Sequence, residues 1–207
     1  MSAQVDQCRS FGHDRFAAIR AGLNEDILRY LNKSPENQAA GDSFKTRLGA
    51  FLTPQLLCLA IYRISHYLHV KGWRRTALLC GRLNIVVHKV TIPPQSCVGP
   101  GCFLPHPSGV TFCGTAGRGL TLYALAVCCP RNAFLDGSIE HGPRLGDRVT
   151  VGGHTVVIGP ITVGDDTKVA YTVRLDRDAP AGVLVVSRVM KVTLRPRRTA
   201  MPAMQLT

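Results

Sequence analysis

The strongest constraint on the fold is a six-residue repeat that runs from Leu145 to Leu175. An aliphatic residue opens each unit, and a small or β-branched residue follows four positions later. The aliphatic positions are Leu145, Val151, Val157, Val163, Val169 and Leu175, and the positions four later are Val149, Thr155, Ile161, Thr167 and Val173. An amphipathic helix would repeat at three and four residues and a half-buried strand at two, so neither explains a period of six. The repeat therefore predicts a parallel β-helix, in which three units form one triangular coil around an aliphatic core.

A weaker block of the same repeat begins at Ile92. Counting in sixes gives interior positions at Ile92, Val98, Leu104, Val110, Ala116, Leu122 and Cys128. The two blocks are out of phase, because the step from Ile92 to Leu145 is not a multiple of six. We therefore predict a loop at 129–144 that leaves the coil and returns to it. Loops on a regular scaffold often carry functional residues.

The segment before the repeat predicts an N-terminal helical domain at 1–90. Helices are expected at 11–31, from Pro54 to about Val70, and from Trp73 to about Val87, with a polar linker at 32–44. The first shows apolar residues three and four positions apart, and Thr53 with Pro54 suits the start of the second. The double proline at Pro93 and Pro94 ends the helical part.

Composition limits the remaining possibilities. The net charge is +12, which favours anionic partners without identifying them. No apolar run is long enough to cross a bilayer and the first residues do not resemble a signal peptide, so we expect a cytoplasmic protein without membrane contacts. The eight cysteines include no C-x-x-C pair. We interpret them as small buried apolar residues rather than metal ligands or disulfide partners.

Several stretches resemble serine acetyltransferases. They are Tyr62–Leu68, Thr91–Pro94, Val98–Gly101, His106–Val110, and Gly142–Asp147 leading into Val157–Ile161. The repeat alone is typical of a large superfamily of acyltransferases. The helical segment and the His-Pro-Ser-Gly-Val stretch narrow the resemblance to the serine acetyltransferases within that superfamily. The resemblance implies an α+β fold: a helical domain, a left-handed β-helix at 91–186, and a basic tail at 187–207. The left hand comes from the resemblance, since parallel crossovers are otherwise right-handed.

The resemblance also implies an activity. Such enzymes transfer an acetyl group from acetyl-CoA to a hydroxyl group, with L-serine as the first expectation for the acceptor. They assemble as a homotrimer or a dimer of trimers, and the donor lies between subunits. A metal cofactor and a nucleic-acid partner are not expected.

The family's catalytic histidine falls on His106. A neutral imidazole can take the proton of a serine hydroxyl as it attacks the thioester, although a histidine between two prolines could also simply stabilise a turn. Thr91 stands where the family has an aspartate that orients this histidine. A hydroxyl can hold the imidazole but cannot stabilise its charged form.

The acceptor and donor residues carried over by the resemblance lie in the loop and the tail. The second histidine of the family falls on His141. Glu140 stands where an arginine normally binds the serine carboxylate, and Arg144 could supply that charge instead. For the donor we assign Arg188, Lys191 and Arg195, although a basic tail that only contacts solvent is an equal alternative.

Three alternatives remain open at this stage. One is acetylation of another hydroxyl, on a sugar or a specialised metabolite, because the carboxylate-binding arginine is missing. A second is a scaffold protein that has lost catalysis. A third is a metal hydrolase or hydratase on the same type of helix, which would need three histidines to converge. Nucleic-acid binding rests on charge alone.

Overall fold

The computed structural model describes residues 11–33, 43–131 and 141–187 of the chain. Its helices are α1 (Phe16–Lys33), α2 (Phe44–Phe51), α3 (Pro54–Val70) and α4 (Arg74–His88). The first predicted helix starts later than expected, because 11–15 form a turn. Helix α2 was not predicted: it has only eight residues, and Phe44 and Leu48 on it are exposed. Its periodic pattern is too short to stand out.

Helix α3 begins and ends at the predicted residues, but the Thr53 side chain does not cap it. Thr53 has an extended backbone, and its hydroxyl donates a hydrogen bond to the Ala50 carbonyl at 2.6 Å instead of capping α3. Pro54 occupies the first turn, where its missing N–H has no helical partner to lose. Proline therefore marks the helix start without help from a side-chain cap.

Twelve short strands follow the helices in the described part of the chain. They are β1 (Cys97–Val98), β2 (Thr111–Phe112), β3 (Thr115–Ala116), β4 (Thr121–Leu122), β5 (Val127–Cys129), β6 (Arg144–Leu145), β7 (Thr150–Val151), β8 (Val156–Ile158), β9 (Thr162–Val163), β10 (Lys168–Val169), β11 (Arg174–Leu175) and β12 (Leu184–Val185). They form three parallel sheets, β1-β3-β6-β9, β4-β7-β10-β12 and β2-β5-β8-β11. These sheets are the three faces of a left-handed β-helix, which confirms the fold that the resemblance implies.

The second block of the repeat is confirmed position by position. Arg144 pairs with Thr162, and Thr150 pairs with Lys168, so each coil contains three units of six. All the aliphatic positions from Leu145 to Leu175, and the positions four after them, are buried. They form one continuous interior stack, and their burial removes apolar surface from water along the whole helix.

The first block contains one error of register. The interior strand residue is Phe112 and not Val110, because Thr91 pairs with Thr111 and Phe112 pairs with Cys128. Val110 is buried, but it lies at the end of the preceding turn. The turn before Phe112 has two residues more than the repeat expects, and the segment from Phe112 to Ala116 has two fewer. The two differences cancel, so counting in sixes is correct again from Ala116. The two extra residues enlarge the turn that carries His106.

The predicted insertion is present in the strand pairing. Thr115 pairs with Arg144 on the next coil, and Arg144 pairs with Thr162 on the coil after that. The step from Thr115 to Arg144 is eleven residues longer than the step from Arg144 to Thr162. Strand β5 ends at Cys129 and β6 begins at Arg144. Residues 132–140 of the insertion and 188–207 of the tail lie outside the described residues, and the domain limits remain a prediction.

A buried ion pair joins the helices to the first coil. The Arg63 guanidinium on α3 donates hydrogen bonds to the Asp26 carboxylate on α1 at 2.5 and 2.8 Å, and both side chains are almost fully buried. Arg63 also donates to the carbonyls of Val98 and Gly99, and Asp26 accepts from the Cys102 N–H. Burial alone would lower the pKa of Arg63, but the adjacent carboxylate outweighs burial and raises that pKa above its ordinary value.

Two further side chains strengthen this junction. The buried Tyr62 hydroxyl donates to the Ser96 carbonyl at 2.8 Å and accepts from the Val98 N–H at 3.0 Å. Arg29 on α1 donates to the Thr121 hydroxyl at 2.8 Å and to the Leu120 and Gly101 carbonyls. All of these bonds except the one to the Thr121 hydroxyl satisfy a polar backbone group in the first coils of the β-helix.

Among the described helices, none is by itself long and apolar enough to cross a bilayer. The pair α2 and α3, bent by 77°, meets the length and composition criteria only when the two are taken together.

We predict that Arg63→Met destabilises the protein strongly, because it leaves the Asp26 charge buried without a partner. Removing one member of such a pair costs about 3–5 kcal/mol. The matched control is Arg118→Met, whose partner Glu25 is exposed, and it should cost about 1 kcal/mol or less. Adding Asp26→Leu to Arg63→Met should recover part of the loss. Urea unfolding followed by circular dichroism measures all three, and equal losses for Arg63→Met and the control would contradict this account.

Candidate active site

His106 lies on an exposed turn whose backbone is held on several sides. The Gln55 amide at the start of α3 donates to the Pro105 carbonyl at 3.3 Å. The Gly109 N–H donates to the carbonyl of Lys89, the residue directly after α4, at 2.9 Å, and the Leu125 N–H donates to the Ser108 carbonyl at 3.2 Å. The turn is thus tied to two helices and to the next coil. The imidazole projects from a fixed backbone into solvent.

Glycine is required at position 109 of this turn. The backbone there has φ of 73°, in the left-handed region that side chains rarely adopt. A Cβ atom at this position would lie 2.3 Å from the Leu125 side chain. The sequence His-Pro-Ser-Gly-Val therefore has a structural reason for its glycine, separate from any role in binding.

Thr91 lies next to the end of the same turn. Its N–H donates to the Val110 carbonyl and its carbonyl accepts from the Phe112 N–H, both at 2.9 Å. Its side chain is half-buried, and within the described chain no hydrogen bond joins the Thr91 hydroxyl to His106. The sequence predicted that Thr91 orients His106, and this role stays a prediction.

The two ends of the insertion carry positive charge. Arg144 and Arg131 are both exposed, and His141 is exposed between them. The Arg131 side chain lies across Gly159, since a Cβ atom there would be 3.2 Å from the guanidinium Nε. Glu140, assigned from the sequence to the acceptor, lies outside the described residues. So do Arg188, Lys191 and Arg195, which were assigned to the donor.

His106 and the insertion lie on different edges of the triangular β-helix. The turn of His106 connects the sheet of β4 to the sheet of β2, as shown by the pairing of Phe103 with Thr121. The insertion connects β5, in the sheet of β2, to β6, in the sheet of β1. One whole face therefore separates the edge with His106 from the edge with His141. The two histidines assigned from the sequence are not brought together by the strand topology of one chain.

Sequence reasoning missed a second group of reactive side chains. His13, His66 and Cys97 converge in a buried cluster between the helices and β1. They are far apart in the sequence and follow no spacing pattern, so no local signal could have identified them. Cys97 also corrects the interpretation of the cysteines, because it takes part in a disulfide bond. The other described cysteines are free, and all but the half-buried Cys80 are buried.

Comparison with known proteins finds serine acetyltransferases among the similar sequences and among the similar structures, although no protein-family model matches the chain. A serine acetyltransferase of Helicobacter pylori is 29% identical over 177 residues, which cover 84% of this chain and 98% of that protein. The crystal structure of serine acetyltransferase isoform 3 from Entamoeba histolytica superposes with a TM-score of 0.74 and 19% identity. The crystal structure of the Neisseria gonorrhoeae serine acetyltransferase superposes with a TM-score of 0.73 and 21% identity.

The chain resembles serine acetyltransferases in sequence and in fold. The sequence comparison confirms the resemblance inferred from the motifs, and it extends over both the helices and the β-helix. The two solved structures are longer: this chain covers 67% of each of them, while they account for 94% and 88% of it. At this level of identity, the superposition with serine acetyltransferases shows the fold alone.

We predict that Gly114→Ala disturbs the base of the insertion. A Cβ atom at Gly114 would lie 2.3 Å from the Pro143 carbonyl oxygen, so the backbone leaving the insertion must move. Crowding of this kind costs about 1–3 kcal/mol. The control is Gly49→Ala in α2, where a Cβ atom meets open space and a helix gains about 0.5–1 kcal/mol.

Thermal unfolding and limited trypsin digestion test this prediction. Gly114→Ala should unfold at lower temperature and be cleaved faster at Arg131 or Arg144, and Gly49→Ala should not. Wild-type behaviour of Gly114→Ala would show that the insertion is not packed against β3.

Proposed function

We propose that this chain is an acetyl-CoA-dependent serine O-acetyltransferase. The observation that carries the proposal is His106, an exposed imidazole on a turn fixed by α3, α4 and the neighbouring coil, within a chain that matches serine acetyltransferases over most of its length. The serine acetyltransferases of Helicobacter pylori and Mycobacterium tuberculosis are 29% and 28% identical to it. The fold supports this activity without determining the acceptor.

In the proposed reaction His106 is the general base. Its neutral imidazole accepts the proton of the acceptor hydroxyl as the oxygen attacks the thioester carbonyl of acetyl-CoA. The carbon–sulfur bond breaks, the thiolate of CoA leaves, and the imidazolium returns the proton to that sulfur. A fixed turn favours this step, because a base held in position does not lose orientational freedom at the moment of reaction.

The same topology favours a site between subunits. Since His106 and His141 lie on different edges of one β-helix, a neighbouring chain is needed to bring a His141 edge beside a His106 edge. We therefore propose a homotrimer or a dimer of trimers, with the donor in the groove between neighbours. Arg188, Lys191 and Arg195 follow the last described strand and are proposed to contact the donor's phosphates.

The choice of acceptor depends on the charge around the insertion. Glu140 would repel the carboxylate of serine, whereas Arg131 and Arg144 at the two ends of the insertion would attract it. The exposed guanidinium groups support L-serine as the acceptor. An uncharged hydroxyl, on a sugar or a related metabolite, is the second candidate because Glu140 replaces a positive charge there.

We predict that His106→Ala lowers the rate of acetyl transfer by about two to four powers of ten, the usual contribution of a positioned general base. The measurement is thiol release from acetyl-CoA with L-serine and with a panel of uncharged hydroxyl acceptors. Binding of CoA, followed by the rise in unfolding temperature that a ligand of the folded state produces, should remain unchanged.

The control is His154→Asn. His154 is another exposed corner histidine, and its φ of 56° is one that asparagine tolerates. It should keep wild-type activity. Full turnover in His106→Ala would show that His106 is not the general base. Thiol release only with an uncharged acceptor would transfer the assignment to the second candidate, and CoA binding without any transfer would indicate a scaffold.

A further inference from the structure

Three potential metal ligands meet in the interior, away from the turn of His106. His13 belongs to the turn before α1, His66 to α3 and Cys97 to β1, and each side chain is at most 3% exposed. His13 Nδ1 lies 2.9 Å from His66 Nε2, and Cys97 Sγ lies 3.9 Å from His13 Nδ1. One donor atom from each residue falls within 4.8 Å of the others.

The hydrogen bonds determine which nitrogen carries each proton. His66 Nδ1 lies 2.7 Å from the Pro94 carbonyl, which can only accept, so this nitrogen carries the hydrogen. His66 Nε2 then carries a lone pair, which accepts a hydrogen bond from the N–H of His13 Nδ1. Histidines that bind metals usually donate their second N–H to a carbonyl or carboxylate. His66 already has this arrangement.

Both imidazoles are held in the form that metals bind. Burial lowers the pKa of His13 to about 3 and that of His66 to about 4, so neither carries a proton charge at neutral pH. The nearby charge of Arg63 is balanced by Asp26. A neutral nitrogen pair beside a sulfur atom is a ligand set typical of zinc.

The distances are close to those of a tetrahedral site. Bond lengths of about 2.0–2.1 Å to nitrogen and about 2.3 Å to sulfur place two nitrogens about 3.3 Å apart and nitrogen and sulfur about 3.6 Å apart. The observed separations are 2.9 and 3.9 Å. These two separations differ from the tetrahedral values by about 0.4 and about 0.3 Å, and the third, between Cys97 Sγ and His66 Nε2, is at most 4.8 Å.

We propose that His13, His66 and Cys97 bind a zinc-like divalent cation when the disulfide of Cys97 is reduced. A dithiol reductant breaks the sulfur–sulfur bond, giving two thiols and a cyclic disulfide of the reductant. The Cys97 thiol then loses its proton to solvent and binds the ion as a thiolate. His13 moves its proton from Nδ1 to Nε2, and His66 binds through Nε2. Disulfide and metal thus exclude each other at Cys97.

The site has a structural consequence independent of acetyl transfer. The ion would join the turn before α1, the C-terminal half of α3 and the first strand of the β-helix, at the junction that Asp26 and Arg63 also hold. The proposal does not rest on the proposed function, and it concerns a different part of the chain from His106. Metal binding would stabilise the folded state by an amount that grows with the logarithm of the ion concentration divided by its dissociation constant.

Cobalt(II) is the probe for this site, because a thiolate ligand gives it a charge-transfer absorption that oxygen and nitrogen ligands lack. The chain is reduced with a dithiol, freed of reductant without air, and titrated with Co²⁺. We expect one ion per chain with this absorption and visible bands of tetrahedral cobalt, both removed by Zn²⁺. The chain with its disulfide intact should give neither.

Variants separate this site from the other thiols. Cys97→Ser should abolish the charge-transfer absorption, and His13→Ala should weaken Co²⁺ binding at least tenfold while circular dichroism stays unchanged. Cys129→Ser is the control, because Cys129 and Cys113 are close enough to interact and could offer a competing site. It should keep the full signal. No charge-transfer absorption in the reduced wild type, or one that survives in Cys97→Ser and His13→Ala, would overturn the proposal.

Discussion

The interior of the β-helix must be filled by one side chain from each face of each coil, and the rest of the molecule depends on this constraint. Strands of two residues cannot be stable alone, since each makes only a few hydrogen bonds. They persist because Val151, Val157 and Val163 stack on equivalent residues of the neighbouring coils and each backbone group pairs with the coil above or below. An interior position can change its residue but cannot be skipped, so any extra residues must leave the coil at a corner.

The helical domain covers the open end of this stack. The first coil of a solenoid exposes apolar residues on one side and needs a different unit to cover them. Leu56, Leu59 and Tyr62 of α3 pack into the same core cluster as Val98 and Leu104. Polar groups at that end are satisfied by Asp26, Arg63 and Arg29, which reach across from α1 and α3. Apolar contact and buried charge thus act together at one junction, where His13, His66 and Cys97 also meet.

The sequence predicted the parts of the fold that are periodic and missed those that depend on tertiary contacts. The second block of the repeat was correct at every interior position, because each follows from the period alone. The first block was wrong at Val110, because two extra residues before Phe112 and two missing residues after it cancel. Counting in sixes therefore does not reveal either change. Helix α2 was missed because eight residues with exposed apolar side chains carry little periodicity. The residues around His106 could be proposed from their motif, but its fixation by Gln55 and Lys89 required the structure.

The position of the candidate site could not be predicted for a related reason. The repeat fixes the residues that face the core but not the edge of the prism on which each turn lies. The pairing of Phe103 with Thr121 and the connection from β5 to β6 assign His106 and the insertion to different edges. A reaction that uses both His106 and His141 therefore needs two chains.

Subunit complementation tests most directly whether the site is shared between two chains. His106→Ala and His141→Ala chains are unfolded separately, mixed and refolded together, and thiol release from acetyl-CoA is compared with that of each variant refolded alone. A site shared between neighbours predicts that the mixture regains activity, because some interfaces combine an intact His106 from one chain with an intact His141 from the next. If the mixture is no more active than the two variants alone, although exchange of subunits is verified by mass, the site lies within one chain and the account is wrong.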